Sequence, residues 1–172
     1  KSTMPHITTL MPYSSGKYML IDSSSRRNLE LVETMREKQK KGSLLWVLDK
    51  TKTAMGARML RSYIEQPLIN KDEIIRRQDA IEELNDCMID REELREYLNP
   101  VYDMERIMTK ISCKTANPRD LIAFRNTLEM IPHIKRIIGN FKAPMFTDCF
   151  DKMDDLSDLY KLVLSAIVDE PP

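Results

Sequence analysis

Apolar residues recur along most of this chain at the spacing of an α-helix. From Ser43 onward they return every three or four residues, as in the set Met104, Ile107, Met108 and Ile111. Side chains at these intervals lie on one face of a helix, so each set predicts a helix with one buried face. The pattern therefore predicts an all-α fold, built as an irregular multi-helix bundle.

Capping residues indicate where these helices begin. Asp22, Ser43, Thr53 and Asn70 each carry a side-chain oxygen that can accept a hydrogen bond from an N–H group of a first turn. The pairs Asn99-Pro100 and Asn117-Pro118 combine a capping amide with a proline at the first helical position, and a later proline, Pro132, predicts a helix end. The predicted helices span residues 23–35, 44–48, 54–65, 71–88, 100–111, 118–131 and 156–167.

The first 21 residues have a different character. Prolines at 5 and 12 and the turn signal at residues 14–17 interrupt any helix, and residues 18–21 (Tyr-Met-Leu-Ile) predict one short strand or extended segment. A single strand needs a partner, which an adjoining domain or a segment absent from this chain would supply. We therefore predict an extended arm in residues 1–21 and a helical domain in residues 22–172.

The charges balance overall but not locally. The chain carries 27 Lys and Arg against 27 Asp and Glu, a net charge of zero that argues against a free-standing nucleic-acid-binding domain. Residues 17–61 hold eleven basic and five acidic side chains, whereas residues 62–172 hold fifteen and twenty-two. The basic part either faces DNA or an acidic neighbouring domain, or packs on the acidic helices. We favour packing, because charge runs usually form solvated faces.

Composition bounds the environment of the chain. The three cysteines (87, 113 and 149) lack metal-ligand spacing, which predicts unpaired, buried thiols in a reduced cytoplasmic compartment. No apolar stretch is long enough to span a bilayer, so we expect no membrane partner. Trp46 and the twelve methionines are interpreted as core residues rather than as a base-stacking platform or a promiscuous groove.

Catalytic motifs are missing from the sequence. There is no GxxxxGK[ST] phosphate loop, and the four glycines are too scattered to form a nucleotide cradle. His6 and His133 lie outside recognisable metal or nucleophile motifs, and the acidic run at residues 151–155 lacks the ligand pattern of a calcium loop. We therefore predict no catalytic residue, no bound cofactor and no metal in this segment.

An ordered series of short motifs resembles one known family. The segments DSSSRRNLE at residues 22–30 and LDKTKTAMGARML at 48–60 are followed by QPL at 66–68, RRQDAI at 76–81, DMER at 103–106 and PRDL at 118–121. The series resembles the core, or lever, domain of the MutS family of bacterial DNA mismatch-repair proteins. It covers nearly the whole chain, in the family's order and at similar spacing.

The resemblance implies a division of labour. Residues 1–21 would end a connector domain, and residues 22–172 would form the first half of the core domain, stopping before a DNA-gripping clamp. The longer protein would bind mismatched duplex DNA, use ATP and Mg²⁺, and form a homodimer, while this segment would act as the lever that joins other domains. A helical interaction scaffold, or a MutS paralogue outside mismatch repair, is the alternative. Missing partner helices would leave apolar surface bare and favour self-association.

Candidate coupling residues come from the shared motifs. Glu105 and Arg106 lie on the polar flank of one predicted helix, and Arg119 and Asp120 occupy the first turn of the next, so these residues can pair with neighbouring helices. Arginines in helices with an apolar stripe can bridge two elements, because a guanidinium carries five donors. Gly56 is interpreted as allowing close approach of another element. The candidates for structural and interdomain coupling are Arg26, Arg27, Asn28, Gly56, Arg58, Arg77, Gln78, Asp103, Glu105, Arg106, Arg119 and Asp120.

Overall fold

The computed structural model describes residues 15–169, and within this range the regular structure is helical. The predicted all-α fold is confirmed. A single 3-10 turn at Ser15–Lys17 precedes nine α-helices in this part of the chain. They are α1 Ser23–Asn28, α2 Leu44–Leu48, α3 Ala54–Glu65, α4 Lys71–Asp86, α5 Met88–Leu98, α6 Met104–Ser112, α7 Pro118–Ile138, α8 Pro144–Lys152 and α9 Ser157–Ala166.

Most predicted helix starts are confirmed by their capping bonds. The Asp22 carboxylate accepts from Ser25 N (2.9 Å), and the Ser43 hydroxyl accepts from Trp46 N (3.2 Å). Thr53, Asn70 and Asn117 also accept bonds from the first turns of their helices. These caps satisfy N–H groups that have no partner within the helix. Local sequence therefore determines where five of the helices begin.

The central element is α7, which contacts α5, α6, α8 and α9. Its first half contributes Phe124 and Leu128 to a core cluster that also contains Ile107 of α6 and Val163 of α9. Its second half carries three further buried isoleucines, at 134, 137 and 138. Burial of a large aliphatic side chain contributes about 1.5–3 kcal/mol. This helix is therefore the framework against which the other helices are held.

The predicted break at Pro132 is wrong, because α7 continues through it to Ile138. Proline lacks the N–H that would bond four residues back, and in a helix interior it costs about 3 kcal/mol. The three buried isoleucines beyond it offset this cost, since each removes a large apolar side chain from water.

The predicted helix start at Asn99-Pro100 is also wrong. Asn99 instead ends α5, and α6 begins at Met104 with Asp103 as its cap. Between them, Tyr102 N donates to the buried Thr127 hydroxyl on α7 (3.0 Å). This long-range bond holds Tyr102 against α7, so α6 begins only after that residue.

Three other predicted boundaries change. The first helix ends at Asn28 rather than Met35, because the carbonyls of Glu30 and Leu31 accept bonds from the start of α2. The predicted helix 71–88 is divided at Cys87, and Ile81 and Met88 of its predicted apolar stripe are 58% and 61% exposed. Helix α8 has no counterpart among the predicted helices.

The short extended segment finds its partner within the chain. Tyr18 forms an antiparallel bridge with Leu68, and Met19 N donates to the Pro67 carbonyl (2.8 Å). The expected external partner is therefore not needed for this bridge. The interpretations that rest on Pro5, His6 and Pro12 lie outside the described residues.

Several residues interpreted as core are exposed. Cys113 and Cys149 are exposed and Cys87 is half-buried, so the prediction of buried thiols is wrong. Trp46 is 48% exposed, and its neighbours Val47 and Leu48 on α2 are exposed as well. Five methionines, at 19, 35, 59, 88 and 108, are also more than a third exposed.

Among residues 15–169, no helix is long and apolar enough to cross a membrane.

Candidate functional site: a charged network joining α3, α6 and α7

Arg58 on α3 binds two carboxylates at the beginning of α6. Its two terminal nitrogens donate to the two oxygens of Asp103 at 2.7 and 2.8 Å. Its Nε donates to Glu105 Oε2 at 3.1 Å, and one terminal nitrogen also contacts that oxygen. Two parallel N–H···O bonds between a guanidinium and a carboxylate fix the relative orientation of both groups. Arg58 therefore holds α3 in a defined position against α6.

Asp103 has two roles at once. Besides binding Arg58, its Oδ1 accepts from Arg106 N at 3.3 Å and so caps α6. The Arg58 guanidinium, together with this backbone N–H, holds the pKa of the Asp103 carboxyl below its ordinary value, and the two carboxylates raise the pKa of Arg58. The residue that begins α6 is therefore also the residue that α3 contacts.

Asp120 repeats this arrangement at the start of α7. Its Oδ1 accepts from Lys110 Nζ of α6 at 2.6 Å, and its Oδ2 accepts from Asn117 N at 3.0 Å. The Asn117 side chain accepts from Asp120 N at 2.8 Å, which completes a capping box. Lys110 and the Asn117 N–H lower the pKa of Asp120, with a smaller contribution from Arg106.

These bonds form one network across three helices. Arg58, Asp103 and Asp120 are linked through the short helix α6, which carries Arg106 in its first turn and Lys110 in its last. Basic and acidic groups alternate along this path. Asp103 and Asp120 each accept a backbone hydrogen bond at the start of a helix and also bind a cation of another helix. A displacement of α3 or α6 therefore alters these capping bonds directly.

Arg77 forms a second link, between α4 and α3. Its guanidinium carbon lies 3.6 Å from the centre of the Tyr63 ring, which is the geometry of a cation–π contact. The two side chains line an open cavity of about 500 Å³. Arg76, next to Arg77, pairs with Asp148 of α8 across the same cavity.

The other candidate residues do not join the network. The half-buried Arg26 donates from Nε to the Ile21 carbonyl at 3.0 Å, within its own segment. The remaining members are exposed, namely Arg27, Asn28, Gln78 and Arg119.

The interpretation of Gly56 is wrong in its detail. A Cβ at this position would lie 3.0 Å from the Thr53 hydroxyl and 3.5 Å from Thr51 Cβ. The close neighbours are therefore the cap of the same helix and the loop before it, not another element. Gly56 N donates to that hydroxyl at 3.0 Å, so the glycine leaves room for the capping bond.

Sequence reasoning missed one structural carboxylate. Glu83 of α4 accepts from Lys142 N (2.6 Å) and Ala143 N (2.8 Å), the two backbone groups that lead into α8. The partners are 59 and 60 residues apart, and no local pattern marks them. Lys110, the partner of Asp120, was also missed, although a Lys in the last turn of a helix is a common feature.

The interpretation that the basic part packs on the acidic helices is largely wrong. Within residues 15–169, three of the eleven Lys and Arg side chains at positions 17–61 form ion pairs. Only Arg58 among them reaches an acidic residue on a different helix.

The same described range, residues 15–169, contains no group of three His, Cys, Asp or Glu that could hold a metal ion.

The ion pair at Asp103 predicts a pH-dependent stability. Because the pKa of folded Asp103 is lowered, its contribution is present above the ordinary value of 3.8 and is lost as pH falls through the lowered value. Asp103→Asn keeps a capping side chain but removes the charge. We expect its urea midpoint to lie below that of the wild type at pH 6 and to converge with it below pH 3.8.

The control for this measurement is Asp79→Asn, which changes an exposed carboxylate on α4. The difference in urea midpoint between Asp79→Asn and the wild type should not disappear at low pH. A gap between Asp103→Asn and the wild type that persists unchanged at low pH would contradict the electrostatic role of Asp103.

Comparison with known proteins agrees with the motif series. The family model described as MutS domain III matches residues 24–172. The DNA mismatch repair protein MutS of Lachnoclostridium phytofermentans is 61% identical over all 172 residues, which make up 18% of that protein. Those of Ruminiclostridium cellulolyticum and Acetivibrio thermocellus are 51% and 47% identical over the whole chain, each with 20% of the relative covered.

The chain thus spans about a fifth of the length of these relatives. Three findings indicate the same family: the helical fold, the order of the motifs, and the match to domain III over most of the chain. The chain belongs to the MutS family of DNA mismatch-repair proteins.

Proposed function

We propose that this chain is one domain of a longer DNA mismatch-repair protein and serves as its lever. In this proposal residues 1–21 end a connector domain, and residues 22–172 form the first half of the core domain, before the clamp. Its direct partners are the other domains of the longer protein. That protein binds mismatched duplex DNA, ATP and Mg²⁺ through those other domains and acts as a homodimer in the cytoplasm. Catalysis belongs to them as well.

The observation that carries this proposal is the placement of Arg58. It joins α3 to the capping residue of a helix that lies 45 residues further along the chain. A forked guanidinium resists rotation as well as separation, because both of its bonds must stay aligned. Movement of α3 therefore transmits directly to α6, although α4 and α5 separate the two helices along the chain.

The route continues from α6 to α7. Lys110 in the last turn of α6 binds Asp120 in the first turn of α7. Helix α7 then spans 21 residues, about 30 Å at 1.5 Å per residue, and contacts four other helices. A displacement at its first turn is thus carried across the bundle. A physical relay requires an element with two arrangements that both sites bias, and we propose this network as that element.

The test is Arg58→Ala in the longer protein, with ATP hydrolysis measured alone, with matched duplex and with mismatched duplex. We expect hydrolysis without DNA to stay near the wild-type rate and most of its response to the mismatch to disappear. Arg58→Lys should behave similarly, because an ammonium keeps the charge but loses the fork.

Arg61→Ala is the matched control for this test. Arg61 lies on the same helix with similar exposure, but it pairs with Glu65 within that helix. If Arg58→Ala responds to the mismatch as fully as Arg61→Ala does, the lever proposal fails.

A further inference from the structure

The open cavity between α3, α4 and α8 plays no part in the network that joins α3, α6 and α7. Tyr63 of α3, Arg77 of α4 and Lys152 of α8 are among the side chains that line it. Its volume of about 500 Å³ lies within the range of small-molecule sites, roughly 300–1,000 Å³. The cavity is therefore large enough for an organic ligand.

The charges that line this cavity are not balanced. Arg76 and Asp148 pair with each other across it, which leaves Arg77 and Lys152 against the single carboxylate of Glu73. Within residues 15–169, the side chains of Arg77 and Lys152 have no hydrogen bond and no ion pair. Two such cations in one concave site attract an anion, because walls of low dielectric constant strengthen the field between them.

Arg77 is fixed in place without the use of its donors. Its guanidinium carbon lies 3.6 Å from the centre of the Tyr63 ring, and this contact engages the π face of the ring rather than an acceptor atom. The five N–H donors of the guanidinium thus remain available within the described part of the chain. A planar fork held in this way can bind two oxygens of one phosphate or carboxylate.

Arg76 also lacks an acceptor. One of its terminal nitrogens pairs with Asp148, but its Nε is buried and has no hydrogen-bond partner among the described residues. The large majority of buried side-chain donors in proteins are paired. The wall of the cavity is therefore short of acceptors at Arg76 as well as at Arg77 and Lys152.

The number and type of these groups favour a phosphate monoester over a carboxylate. A phosphate monoester carries about −1.5 to −2 charge at pH 7 and three acceptor oxygens, whereas a carboxylate carries one charge and two oxygens. An arginine fork together with a lysine point charge matches the phosphate better. Tyr63 and Met145 line the same cavity half-buried, and they provide an apolar wall for the organic part of the ligand.

We propose that this cavity binds a small organic phosphate monoester, with Arg77 and Lys152 holding the phosphate and Glu73 limiting the affinity. This inference goes beyond the lever role and does not depend on it. Loss of phosphate binding would leave the Arg58 predictions unchanged, and failure of those predictions would leave the cavity unchanged.

Cys149 provides a readout at the site itself. Its exposed thiol lines the cavity, whereas the exposed Cys113 lies at the end of α6 and serves as an internal control. Alkylation by iodoacetamide, followed by mass spectrometry of the two peptides, measures each thiol separately. We expect phenyl phosphate at up to about 10 mM, which detects millimolar dissociation constants, to protect Cys149 and to leave Cys113 unchanged.

Three related compounds test the chemistry of the ligand. Phenyl sulfate has nearly the same shape but a single negative charge, so its half-protection concentration should be about threefold higher. Inorganic phosphate should also bind more weakly, because it lacks the ring that contacts the apolar wall. Phenol has the ring without the charge and should not protect Cys149.

Substitutions in the cavity test the assigned residues. Arg77→Lys keeps the charge but loses the fork, so it should raise the half-protection concentration of phenyl phosphate at least about fivefold. Lys152→Gln, at an exposed position, should raise it about threefold, and Glu73→Gln should lower it by a similar factor because the opposing charge is removed. The matched control is Lys161→Gln, which makes the same charge change at an exposed position on α9 and should have no effect.

Several results would overturn the proposal. If phenyl phosphate leaves Cys149 unprotected, it has no site in this cavity. Equal protection by phenol, or equal effects of Lys152→Gln and Lys161→Gln, would show that these cations do not recognise the phosphate.

The same alkylation in the longer protein completes the test. Cys149 should react there as well, and phenyl phosphate should protect it. A Cys149 that does not react before the ligand is added would contradict the proposal, because another domain would then fill the cavity.

Discussion

Ile137→Ala should lower the free energy of unfolding of this chain by about 2–5 kcal/mol. Ile137 is completely buried on α7, in the half of the helix that lies beyond Pro132. Its removal loses the apolar contacts that offset the cost of proline in a helix, and it leaves a cavity that the surrounding helices cannot fill completely. Urea unfolding followed by circular dichroism measures the change.

The matched control is Ile89→Ala, the same substitution on a side chain that is 85% exposed. This change should alter stability by no more than about 0.5 kcal/mol. Equal effects of the two substitutions would contradict the assignment of α7 as the framework of the fold. Equal effects would also leave the continuation of α7 through Pro132 without an explanation.

Glu83→Ala should cost about 1.5–3 kcal/mol, the range for hydrogen bonds to a charged group. The carboxylate accepts two backbone N–H groups at the entrance to α8, where the partial positive charge of the helix end favours an anion. Without it, the Lys142 and Ala143 N–H groups lose their partner, and Ala143 is buried. Urea unfolding of the variant gives the loss directly.

Glu82→Ala is the appropriate comparison, because Glu82 is exposed on the same helix and one position away. Its effect on stability should stay within about 0.5 kcal/mol. A Glu83→Ala variant as stable as Glu82→Ala would show that the bonds to Glu83 do not stabilise the start of α8.

The sequence predicts the features that depend on neighbouring residues. The caps at Asp22, Ser43, Thr53 and Asn117 are confirmed because a cap requires one side chain and a backbone N–H two or three residues away. The continuation through Pro132, by contrast, depends on burial of isoleucines against other helices. A local pattern contains no information on that burial.

Shifted helix starts have the same physical cause. Asn99-Pro100 carries a good starting signal, but Tyr102 N donates to Thr127, 25 residues away, and the segment stays non-helical until Asp103. The α8 start was missed because its carboxylate partner, Glu83, lies on a different helix. Tertiary bonds override local preference at both places.

The candidate site shows the same division. Asp103, Glu105 and Asp120 were selected from the shared motifs, and the structure places all three in ion pairs between helices. The motif residues Arg27, Asn28, Gln78 and Arg119 are exposed. A motif identifies the family and its helix starts, but it does not distinguish a residue that bonds within this domain from one that faces outward.

The surfaces left exposed were the least predictable part. Trp46 and Met88 lie in apolar patterns that ordinarily indicate a core, yet both are about half or more exposed. Periodicity identifies the apolar face of a helix but not whether this chain or a partner covers it.

In the proposed lever role, α3 controls the start of α6 through Arg58. The most direct test is hydrogen exchange of the α6 amides, including Arg106 N–H, in the longer protein, before and after addition of mismatched duplex and ATP. We predict that exchange in α6 changes in the wild type and in Arg61→Ala, and that the change is lost in Arg58→Ala. An undiminished change in Arg58→Ala would contradict the claim, because α6 would then respond without its contact to α3.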